Sequence, residues 1–144
     1  RSGGTSTGSI SATTDNSNGT YTATFTGLVS GTATTINATI GGSSVTSTLP
    51  TITVNPGLAD LANSTVSVSA ASVASGSAVT LTLQTVDANG NNLTSGGSSV
   101  VFGRTGGTST GSITAATDNG NGTYTATFTG LVAGTATTIF ATIN

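Results

Sequence analysis

The chain has 144 residues, enough for one domain or one and a fraction. Thr, Ser and Gly dominate it, and the only charged side chains are Arg1, Arg104, Asp15, Asp60, Asp87 and Asp118, for a net charge of −2. Two arginines cannot neutralise a nucleic-acid backbone, so nucleic acid is excluded as a partner. The absence of Cys excludes disulfides, and the absence of Lys excludes Lys–Asn isopeptide crosslinks. No His, Lys or Cys is present to act as base or nucleophile, so the chain is read as no enzyme. No apolar run approaches a membrane span, and no segment reads as a signal peptide. A chain rich in Thr, Val and Ile favours strands.

The first element is a repeat. Residues Arg1–Gly41 recur as Arg104–Asn144, differing only at Ser2/Thr105, Ser11/Thr114, Thr13/Ala116, Ser17/Gly120, Ser30/Ala133, Asn37/Phe140 and Gly41/Asn144. A period of about 103 residues is too long for a solenoid coil and fits whole sandwich domains in tandem. Seven strands per period are expected. The first copy then supplies the fourth to seventh strands over residues 1–54, with Val45–Val54 as the seventh. "GGSS" (Gly41–Ser44) is expected to turn the chain into it. Pro50 lacks a ladder donor and marks this seventh strand as an edge with a bulge.

"NPGLADLAN" (Asn55–Asn63) reads as a linker. The next repeat supplies its first to sixth strands over residues 64–144. Ser64–Ala70 alternates, with Val66 and Val68 on one face; Ala78–Val86 puts Val79, Leu81 and Leu83 inward. "DANGNN" (Asp87–Asn92) is a turn, because Asn-Gly readily supplies positive φ. Ser99–Arg104 and Gly111–Ala115 follow. "DNGNG" (Asp118–Gly122) turns into a strand with Tyr124, Ala126 and Phe128 on one face and Thr123, Thr125, Thr127 and Thr129 on the other. "GLVAG" (Gly130–Gly134) is expected to end it, before Thr135–Ile143 with Ile139, Ala141 and Ile143 inward. The Asn37/Phe140 exchange supports that register, since polar and aromatic residues interchange most cheaply on a solvent face. The fold class is therefore an all-β, Ig-like antiparallel sandwich.

"VDANGNNL" and "TDNGNGTYTATFTGLVAGTATTIFATI" resemble the bacterial immunoglobulin-like repeats of the invasin and intimin type. In that family a D-x-x-G turn follows the second strand, and a D-N-G-x-G-T-Y-x-A strand follows a later turn. The resemblance implies a bacterial cell-surface adhesin or extracellular fibre built of tandem domains, with neighbouring repeats of the same or identical chains as partners. It implies a structural spacer; a module whose end loops hold a glycan or receptor is the competing expectation.

Asp60, Asp87 and Asp118 are the candidate calcium ligands, because carboxylates and Asn oxygens suit a hard cation. Each stands alone in its turn with no downstream Glu, and the ordinary reading is a hairpin turn with no cofactor. The Thr rows resemble ice-binding ladders, but one twisted strand gives one isolated row. "GGTSTG" and "SGGSS" lack the Lys and helix of a phosphate loop. Asn18, Asn37, Asn63, Asn92 and Asn121 head glycosylation sequons. Neither partial repeat closes a sandwich alone. A longer tandem chain, strand exchange between chains with fibre self-assembly, and a fold-back of Val45–Val54 onto the later repeat each complete one.

Overall fold

A computed structural model describes all residues from Arg1 to Asn144. The chain contains strands and no helix, and every pairing is antiparallel. It divides into two units, Arg1–Pro56 and Gly57–Asn144.

Unit 1 holds β1 (Thr7–Ile10), β2 (Thr14–Asp15), β3 (Tyr21–Thr22), β4 (Phe25–Val29), β5 (Thr34–Thr35), β6 (Thr39–Ile40), β7 (Ser43–Ser44) and β8 (Thr51–Ile52). β1 pairs with β4, β2 with β3, β5 with β8 and β6 with β7. The β6–β7 hairpin turns on Gly41 and Gly42, with φ of 57° and 85°. Two successive positive-φ residues make the twist-matched hairpin turn, which glycine adopts without strain.

Unit 2 holds β9 (Thr65–Val68), β10 (Ala78–Gln84), β11 (Val100–Thr105), β12 (Thr110–Ile113), β13 (Thr117–Asp118), β14 (Thr123–Val132) and β15 (Thr138–Ile143). One sheet has the order β12–β14–β10–β9, with β13 also on β14; the second pairs β11 with β15. Their facing sides enclose Leu81, Leu83, Phe102, Tyr124, Ala126 and Phe128. Ile139, Ala141 and Ile143 pack against this cluster from the second sheet. These are the period-two positions of each strand, so alternation alone places the core.

The two copies of the repeat fold alike. Ile10 faces Phe25 as Ile113 faces Phe128, and Asp15 faces Tyr21 as Asp118 faces Tyr124. The same bulge falls between Thr7 and Gly8 and between Thr110 and Gly111. One exchange lands on a demanding backbone position: Ser17 has φ of 57° where the second copy has Gly120 at 72°. A left-handed residue with a Cβ costs about 1–2 kcal/mol. Ser17→Gly is therefore expected to stabilise unit 1 by up to about 1 kcal/mol, part of the relief being offset by the freer unfolded chain. Thermal melting of the full chain checks it, and a lowered midpoint counts against it.

Three expectations are corrected. Gly130–Gly134 does not end the strand, because β14 continues to Val132. The bulge opposite lets Thr110 reach Val132 while Gly130 stays paired with Gly111. Val45–Val54 is not one strand: within it only Thr51–Ile52 lies on a ladder, and Pro50 just before it has no donor. Ser43 and Ser44, expected in a turn, form the second strand of the β6–β7 hairpin. Val66 and Val68 share one face as expected, opposite Leu83 and Leu81, and Val68 is 41% exposed there because β9 is an edge strand. Unit 1 has no counterpart of β9, β10 or β11, and Tyr21 is 65% exposed where Tyr124 is 2%.

Candidate functional site

Three carboxylate turns and one groove are the candidates. Asp87 follows β10 in a tight turn, with its N–H donating to the Asn91 carbonyl (2.9 Å) and the Gly90 N–H donating to its carbonyl (3.0 Å). Its side chain is buried. Oδ1 accepts from the N–H groups of Asn89 (2.9 Å) and Asn91 (2.8 Å). Oδ2 accepts from the Gly57 N–H (2.8 Å) and the Asn91 amide (2.9 Å). Asn63 donates its amide to the Asp87 carbonyl at 3.0 Å, and Ala59 bridges Asp87. This turn therefore clamps Gly57–Asn63, read from sequence as linker, onto the body of unit 2. The long-range partner Gly57 is 30 positions away, and no local motif announces it.

The Gly57 N–H, with the Asn91 amide and further N–H donors, favours the ionised carboxylate and lowers its pKa from 3.8 to about 2. Because the folded value lies below the unfolded one, the clamp stabilises at pH above the unfolded value and is lost as pH falls through the folded one. The melting midpoint should thus stay level from about pH 8 to 5 and fall between about pH 4 and 2. Asp87→Asn should melt lower at neutral pH and show a smaller acid drop. A wild-type midpoint that declines steeply above pH 5 contradicts this.

Asp60 Oδ1 accepts from the N–H groups of Ala62 (3.0 Å) and Asn63 (2.9 Å). Asp118 accepts from Gly97 (2.7 Å) and Gly120 (2.8 Å). The backbone of Asp60 reaches the same strand end as Asp87, its N–H donating to the Val86 carbonyl at 2.7 Å. Asp118 stands in a different turn. No group of three acidic, His or Cys side chains forms. Each carboxylate is engaged by main-chain donors and acts as a turn former. The sequon residues Asn18 and Asn121 do the same, each accepting from the Thr two positions on.

The groove was not visible in the sequence. It is a cavity of about 400 Å³ in unit 2. Val68, Ala71, Leu81, Ser109, Phe128 and Ile139 are among its lining, and Val73 lies over Gly130 within it. Its lining carries no charged side chain. Unit 1 shows what covers the equivalent surface: Val54 donates its N–H to Ser6 Oγ (3.0 Å), accepts from Gly31 N–H (3.1 Å) and packs over Gly27. Ser6 and Thr34 are 1% exposed there. Burial of these two hydroxyls also escaped the sequence reading, because Ser and Thr suit either face of a strand.

Two antiparallel layers, buried alternate residues and polar hairpin turns define an Ig-like β-sandwich of the kind found in bacterial adhesins. Residues 60–144 match the family described as Invasin, domain 3, and the chain belongs to that family. Among solved structures it is similar to FdeC, described as a broadly conserved Escherichia coli adhesin, with 26% identity and a TM-score of 0.56, covering 99% of this chain and 47% of that one. It is also similar in fold to invasin, described as a bacterial integrin-binding protein, with 24% identity and a TM-score of 0.57, covering 98% of this chain and 29% of that one. The chain thus spans about half of the first and under a third of the second. No curated protein matches it. No helix is long and apolar enough to cross a membrane.

Proposed function

We propose that this chain is a spacer segment of a bacterial cell-surface adhesin or extracellular fibre, in which repeated Ig-like sandwiches supply length. The observation that carries this reading is the shared register of the two copies, down to the bulge at Thr7/Gly8 and Thr110/Gly111. A chain that repeats its backbone so closely is building with a unit. Its turns use their polar atoms internally: Asn119 holds Thr123, Asn121 holds Thr123, and Asp118 holds Gly120. Binding surfaces favour Trp, Tyr and Arg anchors at a desolvated centre. The chain has no Trp and only two Arg, and of its two Tyr, Tyr124 is buried and only Tyr21 is exposed.

The partners in this reading are neighbouring repeats, in the same or identical chains, and the location is the cell surface or its exterior. No catalysis, metal or cofactor is assigned. The clamp of Gly57–Asn63 by Asp87 supports a mechanical role, because it fixes the direction in which the chain enters unit 2. The test is binding of the full chain to a glycan array and to cultured host cells. No saturable binding is expected. Saturable binding that a loop substitution abolishes would replace the spacer with a glycan- or receptor-binding module.

A further inference from the structure

We propose that Asn121–Gly122–Thr123 is a self-modification site, at which the Gly122 main-chain nitrogen attacks the Asn121 side-chain amide and water opens the resulting ring to aspartate or isoaspartate. This chemistry is separate from the spacer role and belongs to one turn of unit 2. The chain holds four Asn-Gly dipeptides, Asn18–Gly19, Asn89–Gly90, Asn119–Gly120 and Asn121–Gly122. In each, the missing Cβ leaves the glycine nitrogen open to approach. Their surroundings differ.

At Asn121 the electrophile is polarised and the nucleophile is unbound. Asn121 Oδ1 accepts from Thr123 Oγ1 (2.7 Å) and from the Thr123 N–H (3.1 Å). Oδ1 takes up negative charge as its carbon becomes tetrahedral, so two donors at these distances form a small oxyanion site. The Gly122 N–H has no acceptor in the protein. Gly122 is fixed from its other side, its carbonyl accepting from the Thr85 N–H (3.0 Å) and Thr85 Oγ1 (2.7 Å). Nucleophile and electrophile are neighbours in a held turn, so their approach costs little entropy. The other two dipeptides of unit 2 lack this pairing. The Gly120 N–H donates to Asp118 Oδ1 at 2.8 Å, which opposes loss of its proton, and Asn119 Oδ1 receives only Thr125 Oγ1 at 3.4 Å. The Gly90 N–H donates to the Asp87 carbonyl at 3.0 Å, and no donor reaches the Asn89 side chain. Asn18 repeats the Asn121 arrangement, with Thr20 Oγ1 donating at 2.7 Å and its N–H at 3.1 Å.

The atoms balance with water as the sole co-reactant. Attack forms a bond between Gly122 N and Asn121 Cγ and closes a succinimide ring. The bond from Cγ to the side-chain nitrogen breaks, and that nitrogen leaves as ammonia with the proton given up by Gly122. One water then opens the ring. Opening at Cγ gives aspartate on an unchanged main chain; opening at the main-chain carbonyl gives isoaspartate. Each event replaces a neutral amide by a carboxylate. Conversion at Asn18 and Asn121 together doubles the net charge of −2 and adds repulsion between like chains. The isoaspartate branch also lengthens the main chain by one methylene just before β14.

The test is incubation of the full chain at mildly alkaline pH and body temperature, followed by peptide mapping with mass spectrometry that separates aspartate from isoaspartate at each position. Asn121 is expected to convert at least about tenfold faster than Asn89 or Asn119. In concentrated urea the turn is lost, and the three rates should converge. Thr123→Val should slow Asn121 by about tenfold, and Thr123→Ser, which keeps the hydroxyl, should restore the rate. Asn121 converting no faster than Asn89 in the folded wild-type chain overturns the site. A preference for Asn121 that persists in urea also overturns it, since the fold would then contribute nothing. An unchanged rate in Thr123→Val, with an intact β-sheet circular-dichroism spectrum, overturns the hydroxyl as an oxyanion donor. None of these rates bears on the glycan-array and host-cell test, so the spacer role stands or falls separately.

Discussion

Tyr124→Ala is expected to destabilise the chain by about 3–5 kcal/mol, and Tyr21→Ala by no more than about 0.5 kcal/mol. The two tyrosines sit in the same local sequence, Gly-Thr-Tyr-Thr-Ala-Thr-Phe-Thr-Gly, and each faces an Asp in the same register. Propensity, turn chemistry and near neighbours in sequence are therefore held constant. What differs is the layer opposite. Tyr124 is 2% exposed beneath the β11–β15 sheet, beside Leu83 on β10, and its hydroxyl accepts from the Ser98 N–H at 2.9 Å. Tyr21 is 65% exposed, with no counterpart of β10 beside it. Truncating the first leaves a cavity and strands a main-chain donor; truncating the second changes little but surface. Urea unfolding of the two variants measures the contrast. Equal losses would mean that unit 1 buries its inner face, and the open form described here would be wrong.

The same contrast explains what was legible in the sequence. Period-two alternation placed Leu81, Leu83, Tyr124, Ala126 and Phe128 on the core faces of their strands, because a pleated strand leaves its side chains no third option. It put Ile139, Ala141 and Ile143 on the opposing face, with Phe140 outside at 42% exposure. The failures came where a distant contact overrode local pattern. β14 runs through Gly130 because a bulge on β12 absorbs the irregularity, and a bulge has no composition of its own. Val45–Val54 keeps only Thr51–Ile52 on a ladder, because Pro50 has no N–H to extend the pairing with β5. Asp87 was legible as a turn residue, but one of the main-chain donors on its oxygens lies 30 residues away, where no local pattern points to it. The groove lay outside any reading of single residues. It emerges only when the occupied surface of unit 1 is set beside its open equivalent in unit 2.

Extending the chain past Asn144 with a copy of Gly42–Pro56 is expected to raise the melting midpoint of unit 2. Asn144 stands where the first copy has Gly41, so the added segment begins in the correct phase. Seating the copied Ile and Val in the groove contributes about 3–6 kcal/mol of burial. Ordering the strand, at ~1–2 kcal/mol per residue, consumes much of that, and its ladder bonds restore part. In a domain of this size each kcal/mol of net gain moves the midpoint by about 4–8 °C. Asp at the copied Ile52 position should erase the gain, since it carries a charge into an apolar cleft. A midpoint that does not move would leave the groove as a mere gap between β15 and Ala70–Val73, and the equivalence of the two surfaces would carry no energy.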